Sequence, residues 1–512
     1  MATVEPSQTA PGRGRELLLL VFAIAVGMGA YAQVSLAVTE ELPADFYLHC
    51  GALVLLAAVL HLIVRFVAPY ADPVLLPVVV ALNGIGLAMI YRIDLAKGDS
   101  SLATKQLGLT ALGVVVAAVL LVLLRDHRFL RRFTYTAMIA ALVLILLPLV
   151  PGLGTSIYGA RIWINLGGFS FQPAELAKIA LAIFFAGYLV TNRDTLALAG
   201  PRVAGLQLPR LRDFGPILVV WAVSIAVLVL ERDLGTSLLF FGLFVAVLYV
   251  ATERVSWIII GLMMFAGGAV LAAKSFSHVA ARFTIWLDAM DPEVYSALPG
   301  SEQLVKGLFG LASGGLLGTG LGHGHPTLVV FSESDFITTS LGEELGLTGL
   351  LAILVMYGVV VQRGFRIAVG VRDGFGKLLA SGLAFVLVWQ VFVVVGGVTR
   401  VIPLTGLTMP FLAYGGSSLL ANWLIVALLL RISDNARRPT PLPVRGASPV
   451  SMHDDVGDEE PDDAVPFPVP APPVPAPPVP APPADGHPGT DATEVVPVPR
   501  TAEDADRTEE GR

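Results

Sequence analysis

Long apolar runs dominate the pattern of hydrophobic and polar positions along the chain. A run of about 17 to 25 mostly apolar residues is long enough to cross the hydrocarbon core of a bilayer as a helix. Twelve such runs are found, near residues 16–38, 47–68, 74–91, 105–124, 133–150, 174–190, 214–230, 235–251, 256–273, 342–361, 377–399 and 407–431. The pattern therefore predicts an all-α polytopic membrane protein of about twelve transmembrane helices.

Two segments between the predicted spans are more polar than a simple turn would be. One covers about Pro151–Pro173, and the other, between the ninth and tenth spans, covers about residues 274–341. In the longer segment Leu304, Leu308 and Leu311 recur at helical spacing, which predicts a short helix at the membrane interface or dipping into the protein. A glycine-rich stretch, 313–322, follows it.

Arginine and lysine are unevenly shared between alternate loops. The loops on one side, with the two ends of the apolar region, contain Arg13, Arg15, Arg125, Arg128, Arg131, Arg132, Arg193, Arg202, Arg210, Arg212, Arg363, Arg366, Arg372, Lys377, Arg431, Arg437 and Arg438. The opposite loops are poorer in basic residues and include Glu40, Glu41 and Asp45. Because basic loops stay in the cytoplasm, both termini are predicted to be cytoplasmic and the long segment extracellular.

Composition supports a membrane location. Hydrophobic residues make up 55% of the 512 positions and charged residues 14%, with a mean hydropathy of +0.75, whereas a soluble domain has roughly a quarter charged residues. The single cysteine, Cys50, excludes an intrachain disulfide and a Cys-rich metal site. The first apolar run is too long for the apolar region of a cleavable signal peptide. No nucleic-acid-binding module is visible.

The end of the chain differs from the rest. Residues 440–512 contain fifteen acidic residues and four arginines, so the net charge of −7 is concentrated there and the remaining body is mildly basic. The sequence Val-Pro-Ala-Pro-Pro repeats three times from Val469 to Pro483. Such proline density favours extended polyproline II and cannot support a core. The chain is therefore divided into a cytoplasmic N-terminus, two first spans, a main body and a disordered cytoplasmic tail, at 1–15, 16–70, 71–435 and 436–512.

Ionisable residues beside the spans form three clusters, and such residues are functional candidates because burying them in a membrane is costly. The first cluster, 159–178, places Glu175 and Lys178 three residues apart on one helix face, after Pro173 at the start of the helix. A polar cavity is one interpretation of this pair. A purely structural ion pair is the other, since desolvation can cancel its attraction.

The other two clusters lie at loop ends. Residues 231–237, which include Asp233, form an outer turn or an ordinary charged loop. Residues 331–346 include Asp335, Glu343 and Glu344. A helix dipole would stabilise one of the glutamates, but it does not explain Asp335. His323 and His325 lack further partners for a metal, and the glycines around them lack the other residues of a phosphate-binding loop.

Together these clusters resemble the SEDS family (shape, elongation, division and sporulation), the group of RodA and FtsW. The matching residues run from about Asp72 to Ser433: Gly159-Ala-Arg161 with Trp163, Gln172-Pro-Ala-Glu175 with Lys178, Asp233-Leu-Gly-Thr-Ser237, Arg282, Asp291-Pro292, Gln303, the glycines of 313–320, Asp335-Phe-Ile337, Glu343-Glu344 and the stretch 405–418. The two first spans then look like an addition to a ten-span core. They and the proline-rich tail are similar to actinobacterial members, and the sequence Glu231-Arg-Asp-Leu-Gly-Thr236 favours the rod-shape branch.

The chain departs from the family pattern in several places. Glu302 stands where a tyrosine is usual, and Lys306-Gly307 replace a common Gln-Ser pair. Glu333-Ser334 stand before Asp335 in place of His-Thr, and Ala413 replaces a serine. Most of these departures lie around the predicted site, so they bear on its local geometry.

The resemblance implies a peptidoglycan glycosyltransferase that polymerises lipid II at the outer face of a bacterial cytoplasmic membrane, for elongation or division, beside a class B penicillin-binding transpeptidase. Asp335 matches the family's essential aspartate, and we expect it to act as the base. The cavity or substrate-binding residues expected are Arg161, Trp163, Gln172, Glu175, Lys178, Asp233, Arg282, Gln303, Lys306, Glu343 and Arg400. A divalent cation, Mg or Mn, is a possible helper, with no ligand set assigned. A lipid II flippase and a non-catalytic scaffold for the transpeptidase are the alternatives.

Overall fold

The computed structural model describes residues 12–98, 101–157, 160–166, 169–197 and 229–439, with short pieces at 202–203, 206–207, 219, 222–223 and 226–227. The α-helices, in chain order, are α1 (Arg13–Thr39), α2 (Phe46–Val67), α3 (Leu75–Lys97), α4 (Leu102–Leu123), α5 (Thr134–Leu146), α6 (Ala174–Ala197), α7 (Leu234–Thr252), α8 (Val255–Ser275), α9 (Ser277–Leu287), α10 (Pro292–Ser296), α11 (Glu302–Gly314), α12 (Ile337–Gly370), α13 (Gly374–Val398) and α14 (Gly416–Arg437). Short 3-10 helices occupy His127–Phe133, Leu147–Leu149 and Pro326–Leu328.

Eleven helices within the described ranges are long and apolar enough to cross a membrane. They are α1 to α8, α12, α13 and α14, with α5 extended by the 3-10 helices at its two ends. The prediction of a helical, multi-pass membrane protein is confirmed. The predicted span 214–230 falls largely outside the described residues, as does the predicted tail, 440–512.

Two predicted spans are corrected by the structure. The span predicted at 407–431 is the helix Gly416–Arg437, and the apolar stretch before it is not helical because Pro410 and Gly406 (φ 77°) interrupt it. Irregular backbone is tolerated at this depth when it is buried in protein, and Leu407 and Met409 are buried. The span predicted at 342–361 belongs to the much longer α12.

The most buried helices form the centre of the bundle. Some 83% of the apolar window of α14 is buried, compared with 28% of that of α1. Small residues allow the helices to approach closely. A Cβ placed on Gly113 of α4 would lie 2.6 Å from the ring of Trp423 of α14. The peripheral helices, α1 among them, therefore present many apolar side chains to lipid.

The two N-terminal helices are packed onto the main bundle. Gly27 of α1 and Gly84 of α3 meet so closely that a Cβ on either would lie 3.0 Å from the other's Cα. At the N-terminal end of α1, Arg13 and Glu16 form a buried ion pair, and His61 of α2 lies 2.7 Å from the Glu16 carboxylate. The Arg13 Nε also donates to the Pro69 carbonyl (3.1 Å), so buried polar bonds hold α1 and α2 to the start of the bundle.

A small antiparallel sheet lies between α5 and α6, in the segment predicted only as an outer loop. Its strands, in spatial order, are β1 (Gly154–Ile157), β2 (Ala160–Leu166) and β3 (Phe169–Phe171), with Thr155 opposite Trp163. A second pair, β4 (Arg202–Val203) and β5 (Leu206–Gln207), follows α6. The all-α prediction missed these strands because their apolar content is too brief to compete with the helical pattern around them.

The long segment between α8 and α12 is folded rather than extended. The predicted helix is confirmed as α11, whose Leu304 and Val305 are buried against Ala289. Phe336, directly before α12, is packed with Val329 and Val398. Ordered short helices therefore place Asp335 at the start of α12.

Candidate active site

Asp335 lies at the point where the folded segment enters α12. Its neighbour Phe336 is fully buried against α11, where Gly307 leaves room for the ring: a Cβ on Gly307 would lie 2.7 Å from Phe336. The Ser334 hydroxyl donates a hydrogen bond to Asp335 Oδ1 (3.0 Å), and the carboxyl group remains partly exposed. The buried Phe336 thus anchors a carboxylate that is partly exposed at the start of α12.

The surroundings of Asp335 change its acidity. Burial raises the pKa of the carboxyl group to about 6, and the nearby Glu333 carboxylate contributes to the rise. The hydrogen bond from Ser334 and the positive charge of Arg282 oppose it. At neutral pH the group is therefore mostly ionised, yet it accepts a proton far more readily than an ordinary aspartate.

Arg282 connects Asp335 to the second cluster. The guanidinium group, on α9, donates to the Leu404 carbonyl (2.7 Å) and is close enough to lower the pKa of both Asp335 and Asp233. Asp233 caps α7 by accepting the Thr236 N–H (3.1 Å), and burial raises its pKa. The structure therefore brings together three predicted residues, Asp233, Arg282 and Asp335, from distant parts of the chain.

Glu231 was not among the predicted site residues. It is 1% exposed, and neither of its carboxylate oxygens has a hydrogen-bond partner among the residues that the structure describes. Burial, with a contribution from Asp233, raises its pKa to about 9, so the group is a neutral acid at pH 7. The Arg161 N–H donates to the Glu231 carbonyl (3.2 Å), which places β2 against this turn. The charged residues at 231–233 were a visible signal for a functional turn, but the sequence alone does not reveal that the Glu231 side chain is buried.

The residues of β2 and its surroundings form one wall of the region. Arg161 is exposed on β2, and Trp163 is half-buried. The Gln172 N–H donates to the Ser417 hydroxyl (2.8 Å), joining the end of the sheet to α14. These contacts position the backbone of the sheet, while the side chain of Arg161 remains exposed and accessible to an anion.

Glu175 and Lys178 are buried in the helical bundle. Their charged atoms are 2.5 Å apart, and Lys178 also donates to Gln390 of α13 (2.9 Å) and to Asn422 of α14 (3.2 Å). Gln390 and Asn422 were missed, although amides inside apolar spans were a visible signal. Among the described residues no hydrogen bond or ion pair joins this pair to Asp335.

The predicted helix-dipole role of Glu343 or Glu344 is replaced by another. Both lie beyond the first turn of α12, and their carboxylates accept N–H groups of the glycine-rich segment: Gly322 (2.9 Å) to Glu344 and His325 (3.0 Å) to Glu343. Glu344 also pairs with Arg92 of α3 at 2.8 Å, a residue that the sequence did not single out. The two acids hold the segment after α11 against α12.

The remaining predicted residues hold or border the folded segment. Gln303 donates a hydrogen bond to the carbonyl of Val330 (2.7 Å), and Val330 lies five residues before Asp335 in the sequence. Arg400 donates to the carbonyls of Trp286 (2.6 Å) and Leu287 (2.5 Å), and so fixes the end of α9. Lys306 is paired with Glu302 at 2.6 Å along the exposed side of α11.

A further ion pair beside Asp335 was not predicted. Lys97, the last residue of α3, lies 2.7 Å from the Glu333 carboxylate, and the Glu333 carbonyl accepts the Tyr414 N–H (2.7 Å). Glu333 is one of the residues that departs from the family pattern. Its charge near Asp335 is therefore balanced by a lysine that lies far away in sequence.

Comparison with known proteins decides the family. The model of the cell cycle protein family FtsW/RodA/SpoVE matches residues 73–438. The chain belongs to this family. The match starts after α2 and ends after α14, so it contains nine of the eleven described spans and the whole candidate site.

Similar proteins of known name include peptidoglycan glycosyltransferases. The chain is 46% identical over 446 residues to the peptidoglycan glycosyltransferase RodA of Mycobacterium tuberculosis, covering 86% of this chain and 94% of the relative. It is 45% identical over 448 residues to the protein of the same name from Mycobacterium leprae, with the same coverage. The predicted assignment to a RodA-type peptidoglycan glycosyltransferase is thereby confirmed.

Solved structures share the fold. One, from a study of polymerisation and crosslinking by a peptidoglycan synthase complex, is 26% identical with a TM-score of 0.56, covering 72% of this chain and 98% of that one. A crystal structure of a Thermus thermophilus RodA mutant is 25% identical with a TM-score of 0.51, covering 72% and 99%. The family core is thus matched at the level of architecture as well as sequence.

Proposed function

We propose that this glycosyltransferase polymerises lipid II, with Asp335 as the general base. The observation that carries the proposal is the carboxyl group of Asp335, partly exposed at the start of α12, with a pKa raised to about 6 and Arg282 nearby. In the reaction the 4-hydroxyl of one sugar attacks the anomeric carbon of another, and the bond to undecaprenyl pyrophosphate breaks. The hydroxyl proton passes to Asp335 as the new bond forms, because an alcohol is otherwise a poor nucleophile.

Cations would stabilise the leaving pyrophosphate. Arg282 is the best placed of the predicted cations, since its charge acts on Asp335 directly. Arg161 is exposed on the neighbouring strand and can approach the same anion. Groups fixed by the fold stabilise developing charge without reorganisation, and the bond from Arg282 to the Leu404 carbonyl provides that fixation.

We expect a divalent cation, Mg or Mn, to bind the pyrophosphate as well. The described residues contain no group of three or more His, Cys, Asp or Glu suited to a metal. Magnesium commonly takes one or two carboxylates and completes its shell with water and substrate phosphates. The partly exposed carboxylate of Asp335 would fit that limited role, whereas both oxygens of Asp233 already accept hydrogen bonds from Thr236. The cation would neutralise charge on the leaving group.

The proposed setting is the outer face of the cytoplasmic membrane. The support is the bias of arginines to the loops at the other end of the spans, because loops rich in basic residues usually stay in the cytoplasm. A class B penicillin-binding transpeptidase is the proposed partner, because a structural relative comes from a complex that couples polymerisation to crosslinking. The catalyst must itself be in the membrane because its substrate's lipid never leaves the bilayer.

The test adds lipid II to the purified protein and its partner in detergent, where the membrane no longer has two sides. The length of the glycan products is then measured on gels. We expect Asp335→Asn to lower the rate by at least about 100-fold, the range seen when a general base is lost. Glu293→Gln, an exposed acid in the same segment, is the matched control and should polymerise normally.

The alternatives predict other outcomes. Equal polymer from wild type and Asp335→Asn would remove Asp335 from the base role. No polymer from any variant, together with lipid II transport in vesicles, would favour a flippase. No polymer and no transport, with the complex intact, would favour a scaffold.

A further inference from the structure

A short turn after α13 contacts two parts of the candidate site. This turn, residues 398–404, begins at Val398, the last residue of α13. Val398 is packed with Phe336, the residue that follows the proposed base, and Leu404 lies against the same apolar cluster. The Leu404 carbonyl also accepts the hydrogen bond from Arg282 (2.7 Å). The 398–404 turn therefore contacts both the residue beside the base and the cation that acts on it.

Main-chain hydrogen bonds fix the 398–404 turn to the end of α13. The N–H groups of Val401 and Ile402 both donate to the Gly396 carbonyl, at 2.8 Å and 3.1 Å. Arg400 has a φ of 64°, in the left-handed region that few residues other than glycine adopt. Such a conformation persists where the surrounding structure determines it. The direction in which the Arg400 side chain leaves the turn is thus set by the fold.

The side chains of Arg400 and Trp286 join this turn to the end of α9. The guanidinium group of Arg400 donates from Nε to the Trp286 carbonyl (2.6 Å) and from Nη2 to the Leu287 carbonyl (2.5 Å). In return, the indole N–H of Trp286 donates to the Arg400 carbonyl (3.0 Å). A planar guanidinium group is suited to two neighbouring acceptors. We refer to these three reciprocal bonds as the α9 clamp.

The α9 clamp lies one helical turn from Arg282. Trp286 follows Arg282 by four residues on α9, so the two side chains lie on the same face of the helix. Both side chains reach the 398–404 turn, Trp286 at the Arg400 carbonyl and Arg282 at the Leu404 carbonyl. A helix that is held at two points one turn apart cannot rotate about its axis without breaking a bond. The clamp therefore keeps the Arg282 side chain in one orientation.

We propose that Arg400 and Trp286 are positioning residues, which hold Arg282 beside Asp335 and the leaving pyrophosphate. Arg400 was predicted as a cavity residue, but its guanidinium group binds two main-chain carbonyls of α9, so its effect on the reaction passes through Arg282. A cation stabilises developing charge most when the fold has already oriented it. The inference rests on the proposed function, in which Asp335 is the base and Arg282 the cation.

The charge of Arg282 provides a measurement other than the rate. It lowers the pKa of Asp335, whereas burial and the Glu333 carboxylate raise that pKa. Glu333 is itself paired with Lys97, and Arg282 also lowers the pKa of Asp233. When Arg282 leaves its position, the pKa of Asp335 should rise. The acidic limb of the pH–kcat/KM profile should then move to higher pH.

The test measures lipid II polymerisation by the full-length protein with its partner at a series of pH values. Arg400→Met should lower kcat by roughly 10- to 100-fold, because a misplaced reacting group reduces the rate strongly, and should move the acidic limb to higher pH. Trp286→Phe keeps every charge and loses one bond of the clamp, so it should give a smaller shift in the same direction. Arg400→Lys can still donate to one of the two carbonyls and should recover part of the rate. Lys274→Met, which removes an exposed cation at the end of α8, is the matched control and should behave as the wild type.

A double-mutant cycle with Arg282→Met identifies the route of the effect. If Arg400 acts through Arg282, Arg400→Met should cost less than about twofold in a chain that already lacks Arg282, because the effects of coupled residues are not additive. A full loss in both backgrounds would overturn the proposal. So would a lower rate with an unmoved acidic limb in both Arg400→Met and Trp286→Phe.

Hydrogen–deuterium exchange without substrate separates this proposal from the proposed function. Arg400→Met should increase amide exchange in α9 and leave exchange in α11 unchanged, and normal exchange in α9 would contradict the clamp. Trp286→Phe, the milder substitution, gives the same comparison if Arg400→Met does not accumulate. Normal polymerisation by Asp335→Asn would remove Asp335 as the base, whereas increased exchange in α9 would still support the clamp.

Discussion

At the scale of single residues, the acidity of Asp335 depends on the balance of charges next to it. Glu333 raises the pKa of Asp335, and Lys97 pairs with Glu333 at 2.7 Å. A base must be deprotonated to act, so activity should rise with pH and level off above the pKa of about 6.

This balance of charges predicts that substitutions of Glu333 and of Lys97 shift the pKa of Asp335 in opposite directions. Glu333→Gln removes a negative charge, lowers the pKa of Asp335 and should move the acidic limb of the pH–kcat/KM profile to lower pH. Lys97→Met leaves Glu333 unbalanced and should move the same limb to higher pH. Lys105→Met is the control, because this lysine is exposed and its ammonium donates to the Ser101 hydroxyl rather than to Glu333. If both substitutions reduce activity without moving the limb, Asp335 is not the group that titrates.

The buried pair Glu175–Lys178 gives a second prediction at this scale. Lys178→Met leaves a carboxylate buried without its partner, which should destabilise the protein by about 3–5 kcal/mol and lower membrane accumulation. Glu175→Gln/Lys178→Met removes both charges and should recover much of that stability. Polymerisation per folded molecule in the double variant then separates the two interpretations. Wild-type activity of the double variant would show that the pair is structural. We expect a clear loss of polymerisation activity instead, which would support a role in a polar cavity.

At the scale of elements, the kink in α12 has a specific cause. Gly346 has φ 70°, and a Cβ there would lie 2.2 Å from the backbone nitrogen of Gly318. Gly318 in turn has φ 83°, and a Cβ there would lie 2.2 Å from the Glu344 carbonyl oxygen. The glycine-rich segment and α12 are therefore in backbone contact at the point where α12 bends.

This contact predicts that Gly346→Ala prevents folding of the region around Asp335. Both the strained φ and the collision oppose the new methyl group, so the loss should exceed about 4 kcal/mol, and little active protein should accumulate. Gly358→Ala, on the same helix with nothing within 4 Å, is the matched control and should be neutral or slightly stabilising. Membrane accumulation and thermal melting measure both. Normal accumulation of Gly346→Ala would show that the segment is held elsewhere.

The elements show which features a single sequence can reveal. Apolar runs predicted the membrane helices because lipid imposes length and composition on each span. Leucine spacing predicted α11 for the same local reason. Some features were not predictable from the sequence. They are the strands β1 to β3, the ion pairs of Arg92 with Glu344 and of Lys97 with Glu333, and the burial of the Glu231 side chain. Each depends on contacts between residues distant in sequence, which periodicity does not contain.

At the scale of the whole molecule, α1 and α2 stand outside the family match but are packed as part of the bundle. The contact of Gly27 with Gly84 leaves no space for a side chain. Gly27→Leu should therefore separate α1 from α3 and cost about 1–3 kcal/mol, seen as a lower melting temperature. Polymerisation per folded molecule should be unchanged, because the site lies in the family core. Gly29→Leu, with open space around it, is the control, and an equal drop in melting temperature there would contradict the packing argument.

Ion pairs surround two buried acids at the end of α14. Arg437 lies 2.5 Å from Asp72, and Arg438 lies 2.8 Å from Asp434, while both carboxylates are fully buried. Arg431 and Arg363 are the other cations near these acids, at 3.4 Å and 3.7 Å. The last two arginines thus complete the neutralisation of two buried acids at the end of α14.

Two truncations test where the catalytic body ends. A chain that stops after Arg438 keeps every one of these ion pairs and the whole family match, so it should polymerise lipid II at the wild-type rate. A chain that stops after Asn435 loses both arginines and leaves the buried carboxylates undercompensated, which should lower its melting temperature by several degrees. The two proteins differ by only three residues, so their comparison isolates the ion pairs from the loss of the tail. Loss of activity already in the longer chain would show instead that residues 439–512 contribute to polymerisation.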